Sequence, residues 1–146
     1  VKILRNASIL LIVCVTLSAC KKYPDGPGFT LLPKVLRLCH NWKTVKELKN
    51  GVDITSYVLP YIKSESFNIS RDQSFSYEAT ATNGGYVDYT GTWSWSSDKS
   101  VVYFSYVFGP QYINRSCVIL KLEEKEFWEQ EVNSAGDLLE YHYAPN

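Results

Sequence analysis

Tyr86-Val87-Asp88-Tyr89-Thr90-Gly91-Thr92-Trp93-Ser94-Trp95 is the stretch that decides the fold class. Its odd positions, Val87, Tyr89, Gly91, Trp93 and Trp95, are apolar or small, and Asp88, Thr90, Thr92 and Ser94 between them are polar. A period of two is the mark of a strand that buries one face, so the odd side chains are expected inward. Phe75, Tyr77, Ala79 and Ala81 alternate in the same way with Ser74, Ser76, Glu78 and Thr80. Val118, Leu120 and Leu122 alternate less cleanly with Cys117, Ile119 and Lys121. The run 101–108 is apolar on both faces, which makes Val101, Tyr103 and Val107 candidates to lie under a loop or a partner.

Working outward, eight such segments are expected, at 42–48, 61–70, 74–82, 86–97, 100–108, 111–122, 126–133 and 137–143. Most connections are short and rich in turn chemistry, as at Arg71-Asp72-Gln73, Asn83-Gly84-Gly85, Ser97-Asp98-Lys99, Gly109-Pro110 and Ala135-Gly136. Short connections make neighbours pair antiparallel. An antiparallel meander of eight strands removes its exposed edges by closing into a barrel. Two local exceptions read as helical turns, one within Phe29–Asn41 carrying Leu32, Val35, Leu36 and Leu38, the other at Asp53–Tyr57. The fold class is therefore all-β, a closed barrel with a short N-terminal helical turn.

The N-terminus says where such a domain would live. Lys2 and Arg5 precede an uncharged, mostly apolar run, and Leu17-Ser18-Ala19-Cys20 fits the lipoprotein cleavage pattern at all four positions. Asn6 to Cys20 is too short for the roughly 20 residues of a spanning helix. We therefore expect residues 1–19 to be a cleaved signal peptide, 20–29 an acylated cysteine and flexible tether, and 30–146 the barrel. The acyl chains on Cys20, palmitate among them, would anchor it in the lipid bilayer. The chain starts at Val1 and has no Met, which we read as an alternative start codon translated literally at the precursor's beginning. Lys21 rather than an acidic residue follows the cysteine, and no acidic cluster comes after it. By analogy with other bacterial lipoproteins this points to the cell envelope, at the outer membrane and facing the periplasm.

The part after the signal carries 13 basic and 15 acidic residues. That balance offers no electrostatic footprint for nucleic acid. Its eleven Tyr, six Phe and four Trp favour strands and supply a sizeable core. With Cys14 in the signal and Cys20 acylated, Cys39 and Cys117 remain. They are either a disulfide, as an oxidising compartment allows, or two buried inert thiols.

Several motifs resemble those of the small lipocalin-like lipoproteins of Bacteroidetes. They are Leu36-Arg37-Leu38 leading to Trp42, Lys46-Glu47-Leu48-Lys49-Asn50-Gly51-Val52-Asp53-Ile54-Thr55, Gly91-Thr92-Trp93-Ser94-Trp95, and Ile119 to Trp128. His40 departs from the pattern, since similar proteins usually carry Gly two positions before the first-strand Trp. The resemblance implies an eight-stranded barrel with room for an internal cavity, in a group most of whose members have no assigned activity.

Residue chemistry argues against an enzyme. His40 and Cys39 are adjacent, so on an extended chain they point to opposite faces and cannot form a nucleophile–base pair. His142 lies between two tyrosines on the last strand. Cys39, His40, Cys117 and His142 lack the close pairing of a metal site. No phosphate loop or serine motif appears, and nothing calls for a cofactor. Two charges instead fall on inward parity. Lys46 shares a face with Trp42 and Leu48, and Glu65 with Phe67 and Ile69, so they are expected either as a pair inside the barrel or as side chains turned to solvent by a bulge.

Two functional readings follow. In the first the barrel holds a small apolar ligand with one polar end, lined by Trp42, Phe67, Tyr77, Tyr89, Trp93 and Trp95, with Lys46 and Glu65 as the charged groups. In the second the interior is a filled core and the protein is structural or binds other proteins. Cavity volume separates them, with roughly 300 Å³ as the lower bound expected for a ligand pocket.

Overall fold

The computed structural model describes residues 23–26 and 30–146, so the signal segment and Cys20 lie outside the described residues. A short helix α1 (Lys34–Leu38) leads into β1 (Asn41–Lys49), β2 (Val52–Asp53), the helical turn α2 (Thr55–Val58) and a 3-10 turn at Leu59–Tyr61. Then come β3 (Ile62–Ile69), β4 (Ser74–Ala81), β5 (Tyr86–Trp95), β6 (Val101–Phe108), β7 (Gln111–Leu122), β8 (Phe127–Val132) and β9 (Leu138–Pro145). From β3 to β9 each strand pairs antiparallel with the next, and β9 pairs back with β1. β1 also pairs with β3, which closes an eight-stranded barrel. β2 is a two-residue addition to β1 across the Asn50-Gly51 turn, where both residues have positive φ. Such a turn matches the twist of the strands it joins.

The expected strands and both helical turns are present, and β5 faces as its alternation requires. Trp93 is buried, Tyr89 and Trp95 pack against the core, and Asp88, Thr90, Thr92 and Ser94 are exposed. Gly91 is needed for packing: a Cβ there would stand 2.2 Å from the Ser105 carbonyl oxygen and 2.7 Å from the Phe75 ring.

Three bulges shift parity where simple alternation would carry it through, at Val45 in β1, Lys63 in β3 and Leu120 in β7. A bulge inserts one unpaired residue, so side chains beyond it exchange faces. In β7 this brings Cys117 and Ile119 inside before the bulge and Leu122 after it, while Val118 is left 44% exposed. The uneven alternation of that segment is thereby explained.

The two ends of the barrel differ. At the lower end α1 acts as a cork. Leu38 is fully buried, and its carbonyl accepts the indole N–H of Trp42 at 2.8 Å. Trp42, Val102, Ile119, Leu122 and Phe127 fill the space above it, each at most 1% exposed. Arg37, also on α1, is buried and donates to the carbonyls of Leu32 and Leu122. Of the stretch expected as a tether, Tyr23 is buried against this end and donates to the Lys99 carbonyl at 2.9 Å. The Asp25 N–H donates to Leu120, whose carbonyl lies at the bulge.

Candidate functional site

Above this packed floor the barrel holds a cavity of about 220 Å³ lined by Thr44, Glu65, Phe67, Tyr77, Tyr89, Tyr106, Arg115, Tyr141 and Tyr143. Each side chain arrives by strand parity. Thr44 sits one residue before the β1 bulge, and Glu65 and Phe67 are two apart on β3. Tyr77 and Tyr89 are register partners across β4 and β5, as are Trp42 and Phe67 across β1 and β3. Tyr77, Tyr89 and Tyr106 form a stacked row, with centroids 5.0 and 4.3 Å apart.

Glu65 is held firmly. One carboxylate oxygen accepts the Thr44 N–H at 2.7 Å and the other accepts the Thr44 hydroxyl at 2.9 Å. Burial and then the Glu65 charge raise the pKa of the Tyr77 phenol, so it remains a neutral hydroxyl. Burial, followed by Glu65, likewise raises the carboxyl of Glu47, which pairs in register with Tyr141 on the same face.

The second polar group is an ion cluster. Arg115 Nε contacts both oxygens of Glu131, at 3.0 and 2.9 Å, and its Nη2 donates to Glu129 Oε1 at 2.8 Å. Tyr143 donates to the same Glu129 oxygen at 2.9 Å. Glu129 is fully buried, and its other oxygen, Oε2, has no hydrogen-bond partner among the described residues. Burial opposes the charge on Arg115, yet Glu129 in particular holds its pKa well above the guanidinium's ordinary value. Burial, with Glu129 next, drives the Cys117 thiol up, so it is a neutral and unreactive thiol.

Of the residues expected to line the lumen, Glu65, Phe67, Tyr77 and Tyr89 meet in this cavity. Trp42 and Trp93 belong to the buried core, and Trp95 packs edge-on against Trp93 with centroids 5.6 Å apart. Lys46 is turned outward by the bulge at Val45 and pairs with Asp53 at 3.6 Å. The expected Lys46–Glu65 pair inside the barrel is thus not formed, because the extra residue flips one member and leaves the other. Cys39 and Cys117 are free thiols rather than a disulfide. Cys117 sits inside the barrel near Glu131, whereas Cys39 follows α1 in the field of Arg71 and Asp72. His142 is buried, stacks on Trp128 with centroids 3.9 Å apart and hydrogen-bonds to Glu140 at 2.6 Å. Among the described residues no group of three or more metal-ligating side chains comes together.

Sequence reasoning missed Thr44, Tyr106, Arg115, Tyr141 and Tyr143 in the cavity and Glu129 and Glu131 beside it. A signal was present in the pattern. Arg115 shares parity with Cys117 and Ile119, and Glu129 with Phe127, so charges interrupt otherwise apolar inward faces on paired strands.

A second, outer cavity of about 410 Å³ adjoins the first and shares Thr44 and Glu65 with it. It exists because β1 and β3 pair only at Asn41–Asn68 and Trp42–Phe67, after which the strands part. Lys43, Leu59, Ile62, Lys63, Ser64 and Asn146 complete its lining.

No family model matches the chain, and no curated protein sequence does. Among solved structures it is similar to a lipocalin-like protein from Bacteroides uniformis, at 12% identity and a TM-score of 0.49, over 75% of this chain and 99% of that one. It is also similar to a deswapped triple mutant of bovine odorant-binding protein, at 12% identity and a TM-score of 0.40, over 75% and 74% of the two chains.

Proposed function

We propose that this chain is a lipid-anchored binding protein of the bacterial cell envelope that holds one small molecule in the upper half of its barrel. The observation that carries this reading is the contrast within one interior: apolar side chains fill the lower half, while Glu65, Arg115 and five tyrosines surround an open volume above. Polar groups that cannot collapse onto one another without losing partners hold space for something polar. Phe67 and the tyrosine rings would take the apolar body of the ligand, and Glu65 or Arg115 its polar end. The anchor is supported by Leu17-Ser18-Ala19-Cys20, and outer-membrane, periplasm-facing placement by the absence of acidic residues just after it. Membership of the Bacteroidetes lipoprotein group is part of the same proposal.

One observation favours the second reading, a barrel with no ligand. At about 220 Å³ the cavity falls below the roughly 300 Å³ typical of ligand pockets. The volume therefore restricts the first reading to a small occupant. Native mass spectrometry of the domain purified from its own host separates the two. A co-purifying small molecule supports binding, whereas an interior occupied by water alone in a high-resolution crystal structure, with no bound mass, supports the structural reading. For the anchor, Cys20→Ser should move the protein from the membrane pellet to the soluble fraction, and pelleting that persists in high salt would refute acylation.

A further inference from the structure

Charge decides which small molecule suits this interior. On the inward faces around the cavity stand four carboxylates, Glu47, Glu65, Glu129 and Glu131, and a single guanidinium, that of Arg115, among the described residues. Arg115 is already engaged by both Glu129 and Glu131. Glu65, which lines the cavity directly, is satisfied by neutral groups, accepting from the Thr44 N–H and hydroxyl and facing the Tyr77 phenol, and forms no ion pair among the described residues. Across the seam, Lys43 and Lys63 line the outer cavity that shares Thr44 and Glu65 with the inner one. Glu129 adds an independent mark, because its buried Oε2 has no hydrogen-bond partner among the described residues although Oε1 is held by Arg115 and Tyr143, two side chains of the cavity wall. A buried carboxylate left without a counter-charge is costly, and on Glu47 burial first and the Glu65 charge second raise the carboxyl above its ordinary value.

We infer that the cavity binds a small organic cation, a primary or quaternary amine with a compact apolar body, with Glu65 as its counter-ion and the rings of Phe67, Tyr77 and Tyr141 around it. This rests on the small-ligand reading above. Aromatic walls suit a cation as well as an apolar group, since the faces of the rings carry negative potential. Inside the inner cavity an anionic ligand would meet one cation among the described residues, Arg115, already engaged by Glu129 and Glu131, and would lie against Glu65. The carboxylates arranged around a volume this small thus select by charge rather than by shape.

The experiment compares four probes of matched shape: 2-phenylethylamine, its N,N,N-trimethylammonium analogue, 2-phenylethanol and phenylacetate. They are titrated into the folded domain at pH 7 by calorimetry and by protein-observed NMR. Saturable binding of one or both cations is expected, with 2-phenylethanol at least tenfold weaker and phenylacetate not binding. Glu65→Gln should weaken the cations at least tenfold and leave the alcohol within twofold. Glu47→Gln, which leaves the Thr44–Glu65 hydrogen bonds in place, should weaken them by a smaller factor and serves should the first variant fail to fold. Equal affinity for the alcohol and the amines, tighter binding of phenylacetate, or cation binding indifferent to both substitutions would overturn the inference while leaving a small-ligand barrel standing. If no probe binds at millimolar concentration and the host-purified protein carries no small molecule, the small-ligand reading falls with it.

Discussion

The lower and upper halves of this barrel are built from the same strands with the same alternation, yet one half is solid and the other is not. In the lower half the inward positions are Trp42, Val102, Ile119, Leu122 and Phe127, closed off by Leu38 of the cork. Apolar side chains have no partners to satisfy and pack to the density of a crystal. In the upper half the inward positions beside Phe67 are Thr44, Glu65, Tyr77, Tyr89, Tyr106, Arg115, Tyr141 and Tyr143. Each carries a polar atom that must keep a hydrogen bond or a counter-charge, and those directional demands hold the side chains apart. The difference teaches that the cavity follows from residue type at inward positions, since strand number and closure are common to both halves.

The strongest way to break this comparison is to damage the floor. Trp42→Ala should cost on the order of 3–5 kcal/mol, as deletions of large buried aromatics do, and urea melts would measure it. A loss below about 1 kcal/mol would mean the lower half is not the stabilising core. Next comes the ion cluster, where Arg115→Ala leaves Glu129 and Glu131 buried without their cation and should cost about 3–5 kcal/mol. If the same melts show Arg115→Ala to be nearly neutral, the upper half is far wetter than its burial implies.

A smaller effect sharpens the electrostatic side. The Glu47 carboxyl is raised above its ordinary 4.5 by burial and by Glu65. The folded state therefore holds this proton more tightly than the unfolded state does. Its stabilising contribution is complete below pH 4.5 and is lost as pH rises through the higher folded-state value. Moving from pH 7 to pH 4.5 should thus stabilise the native protein relative to Glu47→Gln. A gap between the two midpoints that does not change with pH would show that Glu47 is fully solvated. The smallest effect belongs to the outer surface, where Lys46→Ala and Thr92→Ala should each change stability by no more than about 0.5 kcal/mol. A larger loss at Lys46 would argue that it faces the interior after all.

Much of this architecture was legible in the chain. Period-two alternation in Ser74–Ala81 and Tyr86–Trp95 and the turn residues between segments are local signals, and a strand's two faces follow from the backbone of that strand alone. Half of the expected lining, Glu65, Phe67, Tyr77 and Tyr89, was found by that reasoning because β4 and β5 run without bulges and the bulge in β3 precedes Glu65. Lys46 and Cys117 could not be placed in the same way. Their facing depends on single unpaired residues, Val45 and Leu120, and whether a residue goes unpaired is set by the register with β9 and β8, strands distant in sequence.

By itself, then, the sequence determined the class of fold, the strand order and which residues of the regular strands face inward, since each depends on neighbours a few positions away. The tertiary structure alone decided where the barrel is solid and where it is open. That depends on which inward side chains reach the same level from different strands, so that Leu38 and Trp42 meet Phe127 and Leu122 at one end. At the other, Arg115 meets Glu129 and Glu131, and Thr44 meets Glu65. Level is fixed by shear and bulges summed around the closed barrel, and no single strand carries that sum.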